Sequence, residues 1–229
     1  MGLDLLEARI GYIFRDKTLL REALTHPTFV NEHKDLGLED NQRLEFLGDS
    51  IVNTAITRHI FNLFPDAKEG ELTKIRSTLV NEGTLSKVAS FFDLGDFLYL
   101  GKGEDLNHGR QKSSILADAY EALVGAIFLD SSFDKTYEII EKHFDSAFGH
   151  IEDVYSLDYK STFIEYCQRK YKCTPDIVLV DEIGPAHSKI FVIDVTVKGK
   201  VFGRGKGRNK KQASQMACRE ALKSLEDMP

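Results

Sequence analysis

The chain has 229 residues, 42% hydrophobic and 29% charged, with a net charge of −6. That composition suits one or two soluble globular domains and excludes collagen-like, low-complexity and wholly disordered chains. The charge is unevenly spread: residues 1–154 carry 16 Lys and Arg against 27 Asp and Glu, a balance of −11, whereas residues 155–229 carry 14 against 9, a balance of +5. An acidic body with a basic tail suits one part that holds cations and another that attracts polyanions. Three cysteines, Cys167, Cys173 and Cys218, form no paired framework and no CxxC, so free thiols in a reducing compartment are expected and no zinc site is visible. The acidic N-terminus with Asp4 argues against a signal peptide, and the longest apolar stretch, around Ala122–Leu129, is too short to span a bilayer. A cytoplasmic protein with no membrane partner is expected.

Apolar residues recur at three- and four-residue spacing over Leu3–Ile10, Thr18–Leu24, Arg43–Phe64, Leu72–Phe92, Ser113–Leu129 and Asp134–Phe148, which predicts helices. His26-Pro27 and Phe64-Pro65 break the pattern, because the residue before a proline is pushed out of the helical region. Lys102–Lys112 reads as a polar, Gly-containing loop. Residues 1–150 therefore form an all-α domain, and 151–156 a short linker. Residues 157–227 read differently. A helix ends near Tyr171, and strand-like runs follow at Asp176–Asp181, Lys189–Val197 and Val201–Gly207. Phe191, Ile193, Val195 and Val197 alternate at period two. Lys198-Gly199-Lys200 makes a tight hairpin turn, and a last helix covers about Asn209–Leu225. The order α-β-β-β-α is an antiparallel sheet with two helices on one face.

The helical half carries the chemistry. Residues 41–50 read Asn-Gln-Arg-Leu-Glu-Phe-Leu-Gly-Asp-Ser, placing Glu45 and Asp49 four apart on one helix face. Asp118 and Glu121, three apart in Ser-Ile-Leu-Ala-Asp-Ala-Tyr-Glu-Ala, repeat the device in a run too apolar for a surface. Acids in such runs are costly to bury unless paired or metal-bound. Two helices that each present two carboxylates can build an oxygen-rich site for Mg²⁺, which suits phosphodiester hydrolysis. The bland reading, carboxylates on solvated faces, fits their apolar flanks poorly. Glu69 is a further acid, but at a helix start, where the dipole favours acids anyway. Lys74, Arg76, Arg110 and Lys112 are candidate phosphate contacts or ordinary surface charges.

The basic half carries a second feature. Phe202-Gly-Arg-Gly-Lys-Gly-Arg-Asn-Lys-Lys-Gln-Ala213 brings a basic cluster directly to a helix N-terminus, where unpaired N–H groups with Lys210 and Lys211 suit phosphates. No GxxxxGK[ST] accompanies the glycines, which argues against a P-loop. Gly-Pro-Ala-His, ending at His187, lies between the first two strands; it is either a plain turn or a segment that reaches a groove.

The 41–50 stretch with Asp118 and Glu121 resembles the signature of the bacterial ribonuclease III family. The tail, with Gly-Pro-Ala-His and Lys-Lys-Gln-Ala, resembles that family's double-stranded-RNA-binding domain. The resemblance covers nearly the whole chain and implies an all-α endonuclease domain followed by the α-β-β-β-α RNA-binding domain. It implies an Mg²⁺-dependent endonuclease, with Mn²⁺ substituting, that cuts double-stranded RNA to 5′-phosphate and 3′-hydroxyl ends and matures ribosomal RNA precursors and structured messenger RNAs. By position, Glu45, Asp118 and Glu121 are then metal ligands, Asp49 and Glu121 are essential to catalysis, and Glu69 is a supporting acid. Phe46 is the side chain inserted into the partner of a homodimer, and Gln168, His187, Lys210 and Lys211 contact RNA. Gln42 stands where many relatives carry Glu, and Ile164 where the tail's first helix often carries Gln. Two rivals are a non-catalytic double-stranded-RNA-binding protein and a helical phosphohydrolase acting on nucleotides. The intact acid set opposes the first; the unexplained tail opposes the second.

Overall fold

The computed structural model describes residues 2–65, 67–149, 159–185 and 189–226. Its contacts divide the chain into two compact units, Met1–Tyr155 and Ser156–Pro229. The expected linker, 151–156, lies outside the described residues.

The first unit is helical: α1 Leu3–Ile10, α2 Lys17–Ala23, α3 Pro27–Glu32, α4 Gln42–Leu63, α5 Glu69–Leu79, α6 Glu82–Phe91, α7 Lys102–Leu106, α8 Ser113–Asp130 and α9 Phe133–Phe148. The core is built around α8, whose residues Ile115–Ala117, Ala119, Tyr120 and Ala122–Ile127 are all buried. The apolar stretch too short for a membrane is thus the C-terminal half of a central helix, and among the described residues no helix is long and apolar enough to cross one. α2, α4, α6 and α9 pack on α8.

Three expectations need correction. The helical run Leu72–Phe92 is two helices. Asn81 is extended (φ −75°, ψ 157°), and its side chain accepts the Thr84 N–H at 2.8 Å, so it caps a new helix rather than continuing the old one. The break at His26-Pro27 also starts a helix, because proline's fixed φ and missing N–H are tolerated at the first helical position. The polar stretch Lys102–Lys112 contains α7 and a 3₁₀ turn at Gly109–Gln111, organised by Arg110. That guanidinium donates to the carbonyls of Gly95 and Leu98, each at 2.9 Å, and to both carboxylate oxygens of Asp105.

The second unit runs α10 Tyr159–Tyr171, β1 Asp176–Ile183, β2 Ile190–Val197, β3 Lys200–Gly207 and α11 Lys210–Glu226, with antiparallel strand order β1-β2-β3. Val197 pairs with Lys200, so the hairpin loop is only Lys198-Gly199, with φ of +50° and +78°, as a two-residue turn matching strand twist requires. Phe163 and Cys167 of α10, Ile193, Val195 and Val197 of β2, and Ala213, Ala217, Cys218 and Ala221 of α11 form its core. On β3 the residues alternate: Gly203, Gly205 and Gly207 face α11, while Arg204 and Lys206 face away. A Cβ at Gly203 or Gly205 would lie 2.2 or 2.1 Å from α11 backbone atoms. The glycines therefore let a helix lie directly on the strand.

Candidate active site

The first-unit site exists because α4 and α8 approach closely. A Cβ at Gly48 would stand 1.8 Å from the Glu121 carbonyl oxygen, and one at Gly125 would stand 2.3 Å from that of Leu44. Only glycine at both places lets the two backbones touch. Gly48 lies between Glu45 and Asp49, and Gly125 one turn beyond Glu121, so the contact brings the acids of the two helices together.

Glu45, Asp118 and Glu121 each offer a carboxylate oxygen within 4.8 Å of the others, and all three are half-buried. No basic side chain forms an ion pair with any of them among the described residues. Glu121 shows the consequence most strongly: burial, then the charges of Asp49, Asp118 and Glu45, push its carboxyl up to about 8. Burial and the charge of Asp118 raise Glu45 as well. Asp118 is raised by burial and by Glu82, with His26 opposing. Such a set is under-neutralised and built wholly of hard oxygen donors, which fits Mg²⁺ or Mn²⁺ rather than a thiophilic ion.

Asp49 lies outside this trio. It is exposed, and Asn53 one turn later donates its side-chain N–H to Asp49 Oδ1 at 2.7 Å. Its charge still ranks first among those acting on Glu121, so it borders the cluster. Glu69 opens α5, exposed, and does not join the trio. Gln42 is exposed at the start of α4. Phe46, beside the acids, is 81% exposed, which excludes a place in the protomer core.

Among the four candidate phosphate contacts, Arg110 is committed to the fold as described above. Lys112 pairs with Glu104 at 2.6 Å. Lys74 is exposed, and Arg76 borders an open groove with Asn53, Thr57, Arg58 and Phe61. Sequence reasoning missed Gly48 and Gly125 as the residues that set the approach, and Asn53 as the partner of Asp49. A glycine between two acids, followed by Asn at helical spacing, was the available signal for the first and third.

In the second unit, Lys210 and Lys211 are exposed in the first turn of α11. Asn209 accepts the Gln212 N–H at 2.8 Å, and the Gln212 side chain accepts the Arg208 N–H at 2.7 Å, which fixes this helix start. Gln168 and Glu165 are exposed together on α10, with the half-buried Ile164 beside them. His187 lies outside the described residues. Arg204 is held bidentately by the buried Asp194 at 2.6 and 2.8 Å, which removes it from the free cations; this pairing keeps the Asp194 carboxyl below its usual range.

The Ribonuclease-III-like family model matches residues 16–147, and that of the double-stranded RNA binding motif matches residues 159–225. Ribonuclease 3 of Syntrophobacter fumaroxidans is 41% identical over 229 residues, covering 98% of this chain and 95% of its own. That of Borreliella afzelii is 45% identical over 219 residues, covering 94% and 88%. The solved nuclease domain of ribonuclease III from Campylobacter jejuni, described for structural flexibility in a region involved in dimer formation, is 38% identical with a TM-score of 0.61; the match covers 65% of this chain and 99% of that one.

Proposed function

This chain belongs to the ribonuclease III family of double-strand-specific endoribonucleases, and we propose that it hydrolyses duplex RNA with a divalent cation held by Glu45, Asp118 and Glu121. The observation that carries the reading is the under-neutralised trio at the α4–α8 contact. Mg²⁺ is the expected ion, with Mn²⁺ substituting; bound there, it supplies a low-pKa water and positive charge for the phosphorus oxygens.

The chain's own residues do the rest. Glu121, the most buried of the trio, fixes the position of the cage through its place on the rigid core helix. Asp49, exposed and oriented by Asn53, holds water at the edge of the site and accepts its proton. Glu69 supports the site from the start of α5. The second unit supplies affinity: Lys210 and Lys211 meet phosphates at the start of α11, and Gln168 and His187 contact the groove. The protein works as a homodimer with Phe46 in the interface, one centre facing each strand. Products carry 5′-phosphate and 3′-hydroxyl ends, and substrates are ribosomal RNA precursors and structured messenger RNAs.

The test is incubation with long duplex RNA and with single-stranded RNA, with Mg²⁺ or with a chelator. Endonucleolytic cutting of the duplex alone, only with Mg²⁺, is expected. Duplex binding without cutting at any Mg²⁺ concentration would leave a non-catalytic RNA-binding protein.

A further inference from the structure

We propose that the second unit carries a second RNA-backbone site, built from Arg169, Lys170, Lys172, Lys198 and Lys200 at the end of its sheet opposite the start of α11. It takes a segment of RNA separate from the duplex held at Lys210 and Lys211. This rests on the reading of the second unit as a duplex-RNA-binding domain.

The topology gathers these five residues. α10 ends at Tyr171, and β1 starts at Asp176, which pairs with Thr196 just before the β2–β3 turn. The end of α10 and the turn at Lys198-Gly199 therefore share one end of the unit. Ring contacts close the gap: the centroids of Tyr171 and Phe202 lie 5.7 Å apart. Lys170 sits over Tyr166 at 5.3 Å and Tyr171 at 5.9 Å, and Lys200 over Phe202 at 5.8 Å. These cation–π contacts hold two ammonium groups on one aromatic cluster. α11 starts at the other end, beyond Gly207. From Lys200 to Gly207, β3 spans roughly 23 Å at its standard rise. All five cations are exposed. The described ion pairs of the unit engage Lys189, Arg204 and Lys223 instead. Asp176 opens β1 at this end and α11 closes on Glu226, so cations outnumber acids here.

Local structure explains only part of the set. Cations near Tyr171 suit the C-terminal dipole of α10 in any case. Lys198 and Lys200 lie on a hairpin, where that reason does not hold. Lys172 (φ +57°) and Lys198 (φ +50°) also occupy the left-handed region, which favours Gly or Asn over a long side chain. Among the described residues of this unit, they are the only non-glycine residues to do so. Both of these unfavourable positions carry a cation, and both lie at this one end. Exposed point charges so placed suit the phosphates of an RNA strand, whatever its sequence.

The test counts duplexes bound per protomer by calorimetry. It uses the full-length protein in chelator and an RNA duplex of about 16 base pairs, the span of one such domain. At about 50 mM salt the parent should bind two, and at about 200 mM one, because salt weakens both sites and the weaker drops out first. Lys170→Gln, Lys172→Asn, Lys198→Asn and Lys200→Gln together should weaken the second binding about tenfold or more and leave the first within about twofold. Lys210→Ala with Lys211→Ala should do the reverse. A control with Lys34, Lys87, Lys102 and Lys142 of the first unit all changed to Gln removes the same charge elsewhere, and should leave the second binding within about twofold of the parent. One duplex per protomer for the parent at the lower salt would overturn the proposal. Equal weakening by the control would overturn it too, because the second binding would then be general charge attraction. So would a quadruple variant that weakens the first binding as much as Lys210→Ala with Lys211→Ala, since both clusters would then hold one duplex. A parent that binds no duplex at either salt would overturn the duplex-binding reading, and the proposal with it.

Discussion

Glu121 is where burial and repulsion meet. Its folded pKa of about 8 stands above its ordinary value of 4.5. Between those values the unfolded chain has released the proton and the folded chain still holds it, so this residue lowers stability as pH rises from about 4.5 to about 8. His143 works in the opposite sense. Burial pushes it down to about 4, with Nε2–H donating to the Ile10 carbonyl at 2.8 Å, so it removes stability as pH falls below its ordinary 6.5. Comparing variants separates the two. In chelator, Glu121→Gln should raise the urea midpoint over the parent at pH 8 and leave it nearly unchanged at pH 5. A variant less stable than the parent at pH 8 would contradict the crowding of the acids. The three acids that the structure brings together stood out in the sequence because Glu45, Asp118 and Glu121 sit among apolar residues where a carboxylate needs a reason; Asp49, between Gly48 and Ser50, stood out only by its spacing from Glu45. The bond from Ser113 to Glu82 was not legible, because the two lie 31 positions apart and no local pattern links them.

The decisive element contact is α4 against α8. Helical periodicity revealed both helices but not that they touch at backbone distance, because a glycine leaves no mark in a hydrophobic pattern. Gly48→Ala would push a methyl into the Glu121 carbonyl, which stands 1.8 Å from the ideal Cβ position. Overpacking of a tight contact costs about 1–3 kcal/mol or more, and separation of the helices also spreads the acids. A lowered urea midpoint together with lost Mn²⁺ binding is expected. Parental stability and metal affinity would show that the approach is not what builds the site. The break at Asn81 escaped sequence reading for a related reason: with no proline, and with apolar spacing resuming at Leu85, only a capping side chain marks it. The α-β-β-β-α order was readable throughout, since strand alternation in β2 and the turn at Lys198-Gly199 are both local signals. What the glycines of β3 do depends on α11 lying over them, and could be seen only once the elements were assembled.

At the scale of the molecule, an acidic helical unit and a basic RNA-binding unit divide the work. The first carries an acid cluster compatible with a cation, and the second carries the positive charge that attracts polyanions an acidic surface alone would repel. On the proposed reading, Phe46 joins the helical unit to a second copy. A phenylalanine 81% exposed beside the acids fits an interface, so Phe46→Ala should leave protomer packing largely intact and weaken self-association. Sedimentation should show a monomer–dimer equilibrium at micromolar concentration, with a thermal midpoint that depends on protein concentration. A tight dimer at all concentrations would remove Phe46 from the interface. On the proposed reading, cleavage depends on a cation held by Glu45, Asp118 and Glu121, while duplex affinity resides in the second unit. The most direct test is single-turnover cleavage of a defined duplex by Glu121→Gln across a wide range of Mg²⁺, with duplex affinity measured on the same protein. Cleavage should be lost at every Mg²⁺ concentration while duplex affinity stays within about twofold of the parent, since phosphate contacts dominate binding. Near-parental cleavage at saturating Mg²⁺ would mean that Glu121 does not hold the cation cleavage needs.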